Sequence, residues 1–280
     1  MNRAGVALAA VAALLALAGC SAPTESAPSS SGEGLEARIF QYRLDYLPRV
    51  LEVGLENTGE NPLDIRSVRF DSELFEAPAF TERGTLLKPG AVVDLRVDLP
   101  APRCSGTAGA ESVIVTLTDG TEISLVPTDD QDTLARINDE DCLAEAVGAV
   151  ATLTLPSSVR RSDDGAGASG WLDIAIAPEA AGETPLVIDR VLGTTLLSAV
   201  TGDGASWPVD RVIRPGDEPS VLSLAVRPTR CDPHAVAEDK IGTILPVEVR
   251  TGERAGPLDL AADDALKSDV YAFVAEVCGF

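Results

Sequence analysis

Two tandem β-sandwich domains, each closed by a C-terminal helical segment, are the architecture this sequence predicts. Three observations carry it. Apolar residues alternate with polar ones in short runs, turn signals built on Pro-Gly, Asp-Gly and Asn-Thr-Gly separate those runs, and the whole order of runs and turns occurs twice.

In the first copy Leu51, Val53 and Leu55 alternate, turn through Asn57-Thr58-Gly59-Glu60 and resume from Pro62 to Val68. In the second, Leu172, Ile174 and Ile176 alternate, turn between Pro178 and Glu183 and resume from Pro185 to Val191. Period-two spacing of this kind puts one set of side chains on one face of a strand. Lys88-Pro89-Gly90 then precedes the run Leu95, Val97, Leu99 and Cys104, as Arg214-Pro215-Gly216 precedes Leu222, Leu224, Val226 and Cys231. Val113, Val115 and Leu117 with the turn Asp119-Gly120 match Val247 and Val249 with Thr251-Gly252. Each copy ends on a second cysteine, Cys142 or Cys278.

The close of each copy changes period. Leu266, Val270, Phe273, Val274 and Val277 follow three-four spacing behind Asp263-Asp264, which predicts a helix with acidic residues at its start. Leu134 and Ile137 behind Asp132 predict a shorter equivalent. The copies span 35–142 and 149–280, with 143–148 expected as a short linker. They resemble immunoglobulin-like sandwiches in architecture only. Trp171 has no counterpart at Val50, and the cysteines do not stand on two core strands around a buried Trp.

The first nineteen residues carry Arg3 and an uncharged apolar run from Val6 to Leu17, the layout of an export signal. The run is shorter than the roughly 20 residues a permanent membrane helix needs. It ends in Leu17-Ala18-Gly19-Cys20, which resembles the lipobox of bacterial lipoproteins. That resemblance implies cleavage after Gly19, diacylglycerol on Cys20, and a membrane partner reached through the lipid anchor at the extracytoplasmic face. Residues 21–34 contain no large apolar side chain and are expected to form a flexible tether of at most about 48 Å. The stretch Cys231-Asp232-Pro233-His234 resembles one in actinobacterial surface lipoproteins of no assigned activity. Nineteen arginines against three lysines suit a GC-rich genome.

Four cysteines remain besides Cys20. In an exported chain they are expected as disulfides, and the duplication selects Cys104 with Cys142 and Cys231 with Cys278, so that each repeat carries its own bond. Loops of that length each contribute about 4 kcal/mol in the chain-entropy account.

Charge and residue counts narrow the chemistry. The formal charge of −22 becomes −23 when Arg3 leaves with the signal, which opposes binding to nucleic acid. Gly165-Ala166-Gly167-Ala168-Ser169-Gly170 fits a phosphate-binding string but leads into a strand instead of a helix, so a loop is expected. His234 is the only histidine; the stretch 232–234 reads as a turn after a strand, without a triad or a multi-histidine metal site. Asp129, Asp130, Asp132, Asp139, Glu140 and Asp141 lack the spacing of a calcium loop and read as solvated helix ends. No cofactor is expected.

Two functions from different classes fit: a non-catalytic module that binds an exported protein or envelope component, and a carboxylate-dependent hydrolase or carbohydrate-active lipoprotein. Both require the same address. A Cys20→Ser chain should take up no labelled fatty acid and should accumulate as the unprocessed precursor; label retained on the variant would remove the lipoprotein assignment.

Overall fold

The computed structural model describes residues 29–32, 34–105, 109, 111–162 and 169–280. The lipobox and most of the expected tether lie outside them. The chain is mainly β, built as two sandwich units with helices at their ends.

The first unit comprises β1 (Ser29–Ser31), β2 (Leu35–Phe40), β3 (Val50–Asn57), β4 (Leu63–Asp71), β5 (Ala79–Thr81), β6 (Thr85–Leu87), β7 (Val92–Asp98), β8 (Ser112–Leu117) and β9 (Glu122–Leu125), followed by α1 (Thr133–Gly148). One sheet runs β2-β3-β7 and the other β1-β9-β8-β4-β5, with β6 also on β4. Leu51, Val53 and Leu55 of the first sheet meet Val68, Phe70, Val113 and Val115 of the second in one core. Ser29–Ser31, expected within the tether, instead pair in parallel with Glu122–Ser124. Strand pairing uses backbone groups, which apolar composition does not report.

The second unit comprises β10 (Ala151–Thr154), β11 (Arg160–Arg161), β12 (Gly170–Pro178), β13 (Leu186–Leu192), β14 (Leu197–Ala199), β15 (Ser206–Ile213) and β16 (Ser220–Pro228). It continues through α2 (Pro233–Ala237), β17 (Ile244–Thr251), β18 (Arg254–Ala261) and α3 (Asp264–Cys278). Its sheets run β10-β12-β16-β14, with β11 on β12, and β15-β13-β17-β18. The pairings repeat those of the first unit: β3 with β7 as β12 with β16, β4 with β8 as β13 with β17, β8 with β9 as β17 with β18. The likeness extends to an irregularity. The β4–β8 register shifts between Ile65 and Ser67, and the β13–β17 register shifts between Ile188 and Arg190, the matching place in the second copy.

Both disulfides, Cys104–Cys142 and Cys231–Cys278, lie within their own repeat. The terminal helices differ. α3 turns Leu266, Val270, Phe273 and Val274 into the second core alone, with the Asp263 carboxylate accepting from the Leu266 N–H at its start. α1 does not serve one core. Leu134 and Ile137 enter the first core, whereas Leu143 and Val147 enter the second. At 100° per residue the two pairs point roughly 130° apart, so the helix has two apolar faces and lies between two cores. Residues 143–148, expected as a linker, are therefore the C-terminal part of α1. The helix runs beside β18, and the Arg254 guanidinium donates to the Cys104 carbonyl at 2.8 Å across the same junction.

Among the described residues no helix is long and apolar enough to cross a membrane.

The division of α1 makes a regional prediction. Leu143→Ala should cost about 2–5 kcal/mol, and the loss should fall on the second unit although the residue follows the first unit's cysteine. Amide exchange should accelerate in β13 and β17 and stay unchanged in β3 and β7; the reverse pattern would contradict the placement of the helix.

Candidate functional site

The loop between β2 and β3, Gln41 to Arg49, carries more buried polar anchoring than any surface turn requires. Asp45 is only 2% exposed; its carboxylate accepts from the Tyr42 N–H at 2.8 Å and from Arg96 at 3.0 Å. The Gln41 amide donates to the Asp45 and Val50 carbonyls at 3.2 and 2.8 Å, and its oxygen accepts from Arg136 of α1 at 2.5 Å. Arg49 has a left-handed backbone (φ 54°), a conformation that costs a non-glycine residue roughly 1–2 kcal/mol. It is held there by two 2.6 Å bonds to Asp141 of α1 and by bonds to the Leu99 and Pro100 carbonyls.

What this anchoring presents is apolar. Tyr42, Leu44, Tyr46 and Leu47 all point outward, Leu44 being 61% exposed, and two of the chain's three tyrosines are among them. The Arg136 guanidinium lies 4.5 Å from the Tyr46 ring centre and steadies it. Large apolar side chains held outward in one cluster are uncommon on a solvated surface.

A second loop faces the first. Asp239 accepts from the Gly242 N–H at 2.7 Å, the Tyr271 hydroxyl at 3.1 Å and the Thr195 hydroxyl at 3.3 Å, and so holds Lys240 and Ile241 in place. Gly242 has no room for a side chain, since a Cβ there would stand 2.5 Å from Asp239 and Thr195. Beyond it the β17–β18 hairpin turns Leu245 and Val247 inward, leaving Ile244 and Pro246 outward; Asp259 is Pro246's cross-strand partner. Loop 43–47, Lys240–Ile241 and this outer face line a groove of about 400 Å³. It adjoins a polar recess of about 660 Å³ that includes Thr195, Arg230, Asp232, His234 and Glu238, and the two share Arg43, Lys240 and Ile241.

The charges in this junction are unevenly satisfied. Asp232 accepts from the His234 N–H, and Asp239 has the three donors already given. Asp259 keeps solvent contact, yet the protein mass around it raises its pKa above the ordinary value. Among the described residues Arg43, Arg230, Glu238, Lys240 and Asp259 make no ion pair or side-chain hydrogen bond.

Cys104, Cys142, Cys231 and Cys278 are paired, and Cys20 lies outside the described residues. His234 is exposed on α2, where a turn was expected. Asp232 as N-cap with Pro233 behind it is a helix start, and that signal outweighs the turn reading. Asp129 caps α1 by accepting from the Thr133 and Leu134 N–H groups, Glu140 pairs with Arg136, and Asp141 pairs with Arg49. Among the described residues no cluster of His, Cys, Asp or Glu is arranged to hold a metal ion. Of the Gly165–Gly170 string, residues 165–168 lie outside the described residues and Gly170 opens β12. The two facing loops were not found from sequence. The concentration of tyrosines at 42 and 46 was the available signal.

The chain matches no protein family model and no curated protein. Among solved structures, red sea bream transglutaminase aligns at 8% identity with a TM-score of 0.24, covering 82% of this chain and 31% of that one. The chain thus spans about a third of that protein's length. A chain from a chaperone–tip adhesin complex of CFA/I fimbriae biogenesis aligns at 9% identity with a TM-score of 0.16, covering 71% and 87%. Neither score supports inference from those proteins to this one.

Tyr271 gives a pH test of the second loop. Burial, and then its bond to Asp239, push its hydroxyl up to about 12, against 10 in an unfolded chain. Between those values the folded state binds the proton more strongly, so stability should fall as pH rises from about 10 to about 12. Tyr271→Phe should lose that part of the decline, read from urea midpoints at both ends of the window; an unchanged slope would show that the hydroxyl is not so held.

Proposed function

We propose that the chain is the precursor of a lipid-anchored surface protein whose folded part is a non-catalytic docking module, and that the groove at the junction of its two units is the docking site. The observation that carries this reading is the first loop, whose buried Asp45, Gln41 and strained Arg49 hold Tyr42, Leu44, Tyr46 and Leu47 out in water. Ordering a loop in this way removes in advance the entropy a partner would otherwise have to overcome. Paired cysteines suit an oxidising compartment. From Cys20 to Ser29 the chain can span at most about 31 Å, which keeps the module close to the bilayer.

The hydrolase reading draws less support. It needs two carboxylates free to act across a cleft about 5–10 Å wide. Of the three carboxylates in the recess, Asp232 and Asp239 are committed to helix and loop N–H groups, which leaves Glu238 without a second free carboxylate beside it.

The test replaces one exposed side chain. Leu44→Asp should fold with an unchanged thermal midpoint, reach the cell surface at normal level, and lose both crosslinking to its partner and rescue of a deletion strain. His234→Ala should keep both. If His234→Ala fails while Leu44→Asp succeeds, a catalytic recess replaces the docking groove.

A further inference from the structure

The docking reading leaves open what sits in the groove, and this inference rests on that reading. The groove's charges are ordered along it. Lys240 and Ile241 precede β17, Ile244 begins it, and Pro246 with Asp259 opposite stands two residues further on, about 7 Å along the strand. Arg43 and Lys240 therefore stand at the end that opens into the recess, with Arg230 beyond them, and Asp259 stands at the other end. The side chains between are apolar: Leu44, Tyr46, Leu47, Ile244. Among the described residues neither the cations nor the Glu238 and Asp259 carboxylates have a side-chain partner, whereas Asp232 and Asp239 do; Glu238 is exposed at the outer side of the recess, so three cations stand there against one uncommitted carboxylate.

We propose that the occupant is a polypeptide segment in which acidic, large apolar and basic residues follow one another, the acids meeting Arg43, Lys240 and Arg230 and the base meeting Asp259. A polypeptide can place opposite charges on either side of an apolar stretch. An anionic lipid has one charged end and a tail, and would leave Asp259 facing hydrocarbon without a counter-charge. A formal charge of about −23 on each mature copy opposes self-association and so favours a different chain as the partner.

The mature chain would be titrated with short peptides, capped at both ends, that share an apolar centre and carry acidic and basic flanks, two acidic flanks, or two basic flanks. Vesicles of phosphatidylglycerol serve as the lipid probe. The mixed-charge peptide should bind about tenfold or more tightly than either other. Lys240→Glu should shift preference to the peptide with two basic flanks, and Asp259→Lys to the one with two acidic flanks. Both positions are exposed, so thermal midpoints should stay unchanged. Equal binding of the three peptides, reversal variants that shift nothing, or vesicles that bind through Leu44 in preference to peptide would each overturn the proposal. If no peptide binds while Leu44→Asp still abolishes crosslinking on cells, the charge-ordered segment falls and the docking groove stands. If Leu44→Asp also leaves crosslinking intact, both fall.

Discussion

One helix holds this molecule in a single arrangement. α1 gives Leu134 and Ile137 to the first core and Leu143 and Val147 to the second, and each such side chain contributes about 1.5–3 kcal/mol by leaving water. Two sandwiches joined by a flexible linker would sample many orientations. A helix bends sharply only by disrupting its own hydrogen-bond ladder, so both cores settle at close to the angle it sets. The Cys104–Cys142 bond fastens the middle of α1 to the first unit, and Arg254 reaches the Cys104 carbonyl from the second. The same helix supplies Asp141 to Arg49 and Arg136 to Gln41 and Tyr46. The element that orients the units thus also orders the loop that forms one wall of the groove.

That order has a thermodynamic cost. Glu52 lies behind the loop at 3% exposure, and burial first, with the neighbouring Asp45 carboxylate second, raises its pKa above the ordinary value. Arg96 offsets part of this by standing 3.0 Å from Asp45 and 3.8 Å from Glu52. Two carboxylates sharing one half-exposed guanidinium are a poor choice for stability alone, since apolar packing would serve as well or better. They become intelligible as the anchor that keeps the loop above rigid with its apolar side outward, an arrangement that packing for stability alone would not select.

The fold was largely legible in the sequence because it depends on local periodicity. Leu51-Val53-Leu55 and Leu172-Ile174-Ile176 alternate whatever they pack against, and Asp263 with Leu266, Val270 and Phe273 announces α3 because one stripe faces one core. α1 hid its second half for the same reason. Residues 143 and 147 fall off the stripe begun by 134 and 137, and a stripe that changes face reads as a helix that has ended. Ser29–Ser31 hid because backbone pairing leaves no mark on side-chain choice. The groove was illegible for a further reason: Leu44 and Ile241 are far apart in sequence, and only the orientation imposed by α1 brings their loops together.

The duplication explains why the groove occurs where it does. Repeated pairings and the repeated register shift at Ser67 and Arg190 show that each unit carries the same parts. Each unit has a segment between the first two strands of its first sheet and a closing hairpin, yet the groove combines loop 43–47 of the first with the outer face of β17–β18 from the second. Neither unit could form it alone. The terminal helices follow the same logic. α3 turns Leu266, Val270, Phe273 and Val274 into one core, whereas α1 divides its buried apolar residues between two. The asymmetry between otherwise equivalent helices is therefore the structural trace of the junction, and the junction is what gives two similar sandwiches one shared groove.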